Sequence, residues 1–362
     1  MQGRHMFRCR TLAEASGQGQ DNFLLLRLLA ASMVIYGHGP AISGGRGWPD
    51  LIAWLGWGTY SGELAVDIFF VVSGYMIAGS YLRRGHLFDF LWARALRIYP
   101  GYLFCLLVSA VVLGATLTTL PLADYLPSHD TIRYVTKNIE LGKGLAWNLP
   151  GVFVSNPLSG VVNGSIWTLP AEVRMYLWVA AAGLLGVLAR RRWCNLLIAV
   201  LFVCGMFAPK YLPLIPLDTF LPLAAYFAAG VLCYVNRESI RFGWWLVAAL
   251  GALACLLRHS SLYPFAFGLA LIAFVFAFAY ATPWHGFNRF GDYSYGLYLW
   301  GFPAQQVVAN HWPGLAAQSN ALAAWPLAMV MAILSWHLIE KPALSLKSWP
   351  RSLYRRKMAA SA

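Results

Sequence analysis

The sequence predicts an all-α fold, a polytopic transmembrane bundle of about ten helices with both termini in the cytoplasm. Three observations lead there. Hydrophobic residues make up 59% of the 362 and charged residues 11%, with a mean hydropathy of +0.58. A soluble domain carries roughly 25% charged residues, so this chain lacks what a water-facing surface needs. Apolar runs near the ~20 residues that cross a bilayer recur along the chain. The 27 Lys and Arg residues lie mostly in the tails and the connections between those runs, as orientation in a membrane requires.

Apolar runs read against Gly, Pro and charge punctuation place spans at 22–40, 63–82, 99–119, 166–189, 194–208, 219–235, 244–257, 263–282, 293–311 and 321–339. With the N-terminus inside, 19 cations fall in cytoplasmic segments, among them Arg83, Arg84, Arg94, Arg97 and Arg190 to Arg192. Six fall in outer loops, and Arg27 and Arg174 lie within spans. That asymmetry sets both termini inside. Residues 1–21 read as a polar, disordered cytoplasmic tail, 22–343 as one transmembrane domain, and 344–362 as a basic cytoplasmic tail. Arg27 interrupts the first apolar run and no small-x-small cleavage site follows, so that run is a retained helix rather than a signal peptide. The longest connection, 120–165, lies outside and is rich in Pro, Gly and Asn; loops of that length are often functional. No internal repeat is visible, which argues against a transporter built from duplicated halves, and no second soluble domain is expected after the last span.

Composition also excludes chemistry. The six cysteines form no C-x-x-C pair and no Cys/His spacing suited to a metal, so no metal site is expected and packing is the expected role. The net charge of +13 does not point to nucleic acid, because no basic helix with interleaved aromatics or known binding motif accompanies it. The partner that the composition does require is membrane lipid.

Ionisable residues inside spans cost about 2.5–3.5 kcal/mol each on insertion scales, so they face a protein interior or a wet cavity. Arg27, His38, Asp67, Glu172 and Arg174 stand out. Helix-pinning pairs would account for some of them; a functional cavity would account for the group. Arg27 and His38 lie eleven residues apart, about three turns plus 20°, so both point the same way, separated by ~16 Å along the axis. Asp67 and Glu172 fall at a depth similar to His38 if the helices converge. A histidine with carboxylates in a dry site suits general acid–base work, the imidazole taking a proton and a carboxylate orienting it. Arg174 points away from Glu172, since two residues turn a helix by ~200°. Arg94 and Arg97 share a helical face, a fork suited to phosphates or equally to positive-inside anchoring. Ser73 lies in Val-Val-Ser-Gly-Tyr rather than a nucleophile elbow, and Gly44-Gly45-Arg46-Gly47 lacks the Lys-Ser/Thr of a phosphate loop.

Taken in order, these landmarks resemble the acyltransferase-3 family of membrane O-acyltransferases. Leu26-Arg-Leu-Leu-Ala-Ala-Ser-Met-Val-Ile-Tyr-Gly-His38 resembles its opening Arg-(ten residues)-His motif, and Ala65-Val-Asp-Ile-Phe-Phe-Val-Val-Ser-Gly-Tyr-Met-Ile77 its second-helix signature. Arg94-x-x-Arg97 with Ile-Tyr-Pro100 is similar to its R-x-x-R motif. Asn163-Gly-Ser-Ile-Trp-Thr-Leu-Pro-Ala-Glu172 is similar to the segment carrying its Trp and Glu. Tyr293-Ser-Tyr-Gly-Leu-Tyr-Leu299 and Ile339-Glu-Lys-Pro342 resemble its closing motifs. Many members carry a histidine after that Tyr-Leu; here Trp300 stands instead.

The resemblance implies cytoplasmic acyl-CoA, expected to be acetyl-CoA, as donor and co-substrate, with no tightly bound cofactor. It implies a hydroxyl of a sugar in an exported polysaccharide or glycolipid as acceptor, at the bacterial inner membrane. On that reading Arg27, Arg94 and Arg97 hold the donor's phosphates and His38 deprotonates the hydroxyl. Glu172 and Asp67 orient His38, Trp167 stacks on the sugar, and Arg174 supports developing charge. Two rival classes remain: a transporter or flippase for a lipid-linked sugar, with these charges lining its path, and a non-catalytic scaffold pinned by them.

Overall fold

The structure, a computed structural model, describes residues 10–142, 144–207 and 217–349. In chain order its helices are α1 (Leu12–Ser16), α2 (Phe23–Ile42), α3 (Leu51–Trp54), α4 (Ser61–Arg84), α5 (Leu87–Val108), α6 (Gly114–Leu117), α7 (Leu122–Tyr125), α8 (His129–Ile139), α9 (Leu169–Leu184), α10 (Arg191–Phe207), α11 (Leu217–Val235), α12 (Trp244–Leu256), α13 (Tyr263–Ala281), α14 (Ser294–His311), α15 (Ala317–Ser335) and α16 (Lys341–Ser345). Two-residue strands β1 (Arg10–Thr11) and β2 (Arg241–Phe242) pair antiparallel.

Each expected span coincides with a helix. Among the described residues, five helical stretches are long and apolar enough to cross a membrane: Phe23–Ile42, Ser61–Arg84, Leu87–Leu117, Tyr263–Ala281 and Ala317–Ser348. The others fall short for physical reasons. Helix α12 has 13 residues and reaches only about 20 Å at 1.5 Å per residue, against a hydrocarbon core of ~30 Å. Helix α14 is long enough, but Gln305, Gln306 and Asn310 lower its apolarity. Leu87–Leu117 runs on through a widened π-helical turn, Ser109–Leu113. Tyr125 donates to the Ala110 carbonyl there at 2.7 Å, satisfying an oxygen that the irregular turn frees from the ladder.

The chain forms two compact units: residues 1–27, 66–87 and 174–291, and residues 28–65, 88–173 and 292–362. In the first, helices α4 and α11 meet at glycines. A Cβ on Gly74 would lie 2.0 Å from the Phe227 carbonyl oxygen, and one on Gly230 2.2 Å from that of Val71; small residues allow such backbone approach in membrane helices. This unit also departs from the expected disordered tail. Thr11 and Glu14 form a capping box on α1, Leu12 is fully buried, and the Leu12 and Ala13 amides donate to the carbonyls of Ile240 and Arg237. The reciprocal cap and one buried leucine hold down a segment that looks merely polar in sequence. Residues 1–9 of that tail, and the basic tail from residue 350, lie outside the described residues.

In the second unit α14 packs along α15. A Cβ on Gly296 would sit 2.7 Å from the Ala332 Cα. The connection 120–165 is not an open loop: it contains α7 and α8 and is fastened at many points. Asn138 brackets Ala146 with two hydrogen bonds of 2.9 Å, Thr118 donates to the Pro150 carbonyl at 2.8 Å, and Asn156 donates to Gln306 of α14 at 2.9 Å.

Candidate active site

His38 lies in the second unit, near the end of α2, and its flanking glycines determine where it points. A Cβ on Gly37 would lie 2.3 Å from the Gly62 amide nitrogen, and one on Gly39 2.9 Å from the Ala317 carbonyl oxygen. The α2 backbone is therefore pressed against the start of α4 and the start of α15, with His38 between the two contacts. Its ring meets Phe302 edge-on, centroids 5.2 Å apart at 75°. Nδ1 is buried and has no hydrogen-bond partner among the described residues. Leaving a buried polar nitrogen unmade costs about 1–3 kcal/mol, so an orphan of this kind calls for an explanation, and a catalytic role is one.

Phe302 links His38 to the segment carrying Trp167 and Glu172. A Cβ on Gly164 would fall 2.5 Å from the edge of the Phe302 ring, so only glycine fits there without displacement. The flanking residues are bolted to α14. Asn163 donates to the Leu299 carbonyl at 2.9 Å and accepts from the Ser165 amide at 3.0 Å. The Tyr298 hydroxyl donates to the Ser165 carbonyl at 2.6 Å. With its one proton used, it accepts from the Thr168 hydroxyl, also at 2.6 Å. The resulting 3₁₀ turn, Ser165–Thr168, carries the half-buried Trp167 and leads into α9. Glu172 occupies the first turn of α9, where the helix dipole favours a negative charge.

At the other end of this unit, Arg94 and Arg97 lie one turn apart on α5 and both are partly buried. Arg97 is committed. It contacts the Asp292 carboxylate directly through Nη2, meets Glu340 Oε2 through Nη1 at 3.4 Å, and lies over the Tyr295 ring at 5.4 Å. Ser294 caps the other Asp292 oxygen, and Ser335 donates to Glu340 Oε1 at 2.8 Å. Glu340 ends a second widened turn, Trp336–Glu340. Pro342 follows, and its missing N–H removes one rung of the ladder in that stretch. Both closing motifs thus converge on one guanidinium, which the sequence read as a phosphate ligand.

The remaining expected residues, Arg27, Asp67 and Arg174, belong to the first unit. Asp67 is buried, Arg27 and Arg174 are partly so, and each interacts with a neighbour. Trp300 is buried against Phe104, and its indole N–H has no partner among the described residues. Sequence reasoning missed Phe302, Asn163, Tyr298 and Asp292. Asn163 and Tyr298 lay within the family-like segments without a role of their own, and Asp292 showed only as a carboxylate at the edge of an apolar run.

The acyltransferase-3 family pattern, described as an acyltransferase domain, matches residues 21–340. The chain is 29% identical over 340 residues to an O-acetyl transferase of Shigella phage Sf6, covering 90% of this chain and 97% of that one. It is 28% identical over 389 residues to nodulation protein 10 of Rhizobium leguminosarum bv. viciae, covering 96% and 99%. No solved structure matches significantly. A match running from the start of α2 to the Glu340 that grips Arg97 takes in every site residue expected from the sequence, and the chain belongs to the acyltransferase-3 family.

Proposed function

We propose that this acyltransferase is a membrane O-acyltransferase of about ten spans, both termini cytoplasmic, in a bacterial inner membrane. It moves an acyl group, acetyl in the first instance, from cytoplasmic acyl-CoA to a sugar hydroxyl of an exported polysaccharide or glycolipid. The observation that carries this reading is His38: an imidazole within a span, clamped between two glycine contacts, with a buried ring nitrogen left unpaired. The family membership and the printed name of the phage relative support the reaction class.

In the proposed reaction His38 accepts the hydroxyl proton as the sugar oxygen attacks the thioester carbonyl. The C–S bond then breaks, and CoA leaves as the thiol after taking a proton back. Glu172, with Asp67, orients the imidazole and stabilises its charged form. Trp167 stacks on the sugar and Arg174 supports developing charge. Arg94 and Arg27 hold the donor's phosphates, a task for which guanidinium geometry is suited. Arg97 belongs to the same donor side, and its two carboxylates make it a positioning residue for the R-x-x-R turn.

The test is acetyl-CoA consumption by purified protein in lipid nanodiscs, with NMR of the polysaccharide product. His38→Ala should abolish transfer while insertion and expression are retained. Acylation near the wild-type rate in that variant would remove His38 from the chemistry.

A further inference from the structure

The long connection of the second unit encloses a cleft of about 540 Å³, within the roughly 300–1,000 Å³ typical of small-molecule sites. Trp147, Asn148, Asp130, Arg133, Ser159 and Gly160 line it. Trp147 is half-buried, while Asp130, Arg133, Asn148 and Ser159 are exposed. The set has a chemical logic. One flat aromatic with an apolar face stands among an acid, a guanidinium, an amide and a hydroxyl, which between them can both donate and accept. A pyranose presents the matching surfaces, a C–H face and an edge of hydroxyls.

The cleft is built rather than incidental. The Trp147 carbonyl accepts from the Val162 amide at 2.8 Å, and Asn148 bridges to Val161. Tyr102 of α5 donates to the Asn138 carbonyl at 3.1 Å, anchoring the end of α8, which carries Asp130 and Arg133. Phe153 is held at φ 55° and is buried to 1% exposure. Its carbonyl accepts from the Gly160 amide at 3.0 Å. A bulky residue in the left-handed region costs about 1–3 kcal/mol and persists only where its surroundings over-determine it; such positions cluster at ligand sites.

The cleft also lies close to the candidate base. Val161 and Leu158 pack on Ile42, Phe302 and Ala309, and Phe302 touches the His38 ring. Leu158 and Val161 flank the lining residues Ser159 and Gly160, so a chain of contacts runs from that stretch through Phe302 to the imidazole, all within the same unit.

We propose that this cleft binds the acceptor glycan, holding sugar units adjacent to the one that is acylated, so that the acceptor is an oligosaccharide rather than a single sugar. The inference rests on the sugar-acceptor reading above. Binding remote units would orient the reacting hydroxyl and spend their binding energy on the transfer step.

The experiment uses the full chain in nanodiscs with two probes: lipid-free surface polysaccharide of the source bacterium, stripped of acyl groups by mild base, and the same glycan still lipid-linked. Transfer from labelled acetyl-CoA and direct binding by calorimetry are measured for wild type, Trp147→Ala, Asp130→Asn and Arg133→Gln. The last two sit at exposed positions of α8 and leave the fold intact. Loss of the aromatic face should raise the acceptor KM and weaken binding on the order of ten-fold, equally for both probes, with the KM for acetyl-CoA unchanged. Unchanged acceptor KM and binding in all three variants, in an enzyme that transfers acetyl, would overturn the inference and leave the proposed function standing. Trp147-dependent binding without any transfer would uphold the cleft and refute the function. A loss seen only with the lipid-linked probe would place lipid there instead, and refute the inference.

Discussion

The Arg97 cage makes the most quantitative prediction. Replacing Arg97 by Met keeps the side-chain volume and removes the charge that faces Asp292 and Glu340. The Glu340 side chain is only 2% exposed and that of Asp292 13%, so Glu340 bears most of the penalty. Each carboxylate keeps one serine hydroxyl, which does not neutralise it. A charge-assisted hydrogen bond contributes about 1.5–3 kcal/mol; the Asp292 contact is close and the Glu340 contact long at 3.4 Å. Stranding one partner of a buried pair costs about 3–5 kcal/mol, and that range is expected for Arg97→Met. At roughly 2 °C per kcal/mol for a large domain, the unfolding midpoint in detergent should fall by roughly 6–10 °C. Glu340→Gln in the Arg97→Met background should recover more than half of that loss, because the stranded charge is gone. Tryptophan fluorescence melts of wild type, both single variants and the double variant measure the cycle. Additive losses in the double variant would show that Arg97 does not hold Glu340, and the cage would fail as its explanation.

Other outcomes follow from the same geometry. Arg94→Lys preserves charge but loses the planar fork, and should raise the KM for acetyl-CoA about ten-fold with acceptor saturating; an unchanged KM would move the donor site elsewhere. Gly164→Ala drives a methyl to 2.5 Å from the Phe302 ring. The overpacking should cost about 1–3 kcal/mol, and because Phe302 backs His38, kcat should fall further than the melting midpoint suggests. Equal, small effects on both would break that link. Cysteine at Ser159 should react with a membrane-impermeant maleimide applied outside whole cells, and cysteine at Ser239 should not; the reverse pattern would invert the proposed orientation.

Much of this protein is written locally. Composition dictates helices in lipid, because backbone groups in a bilayer must be satisfied within their own segment. Apolar runs therefore located the apolar helices, though not α1, α7 or α8, and the eleven-residue spacing placed Arg27 and His38 on one stripe of α2. Gly37 and Gly39 beside His38, and Asn163-Gly164 before Trp167, were visible as letters. Their purpose was not, since a glycine's role depends on what approaches it. Partner choice at long range was decided by the tertiary structure alone. Arg97 meets Asp292 and Glu340 across separations of 195 and 243 residues. Its spacing from Arg94 suits a phosphate or a carboxylate equally, and only packing brings those carboxylates to it. The same holds for the connection 120–165, whose Pro, Gly and Asn content reads as loop. Side-chain hydrogen bonds from Asn138, Thr118 and Asn156 turn it into a walled cleft. Periodicity and composition carry information over one or two turns of helix; which buried charge or amide meets which is settled by desolvation, after the helices have packed.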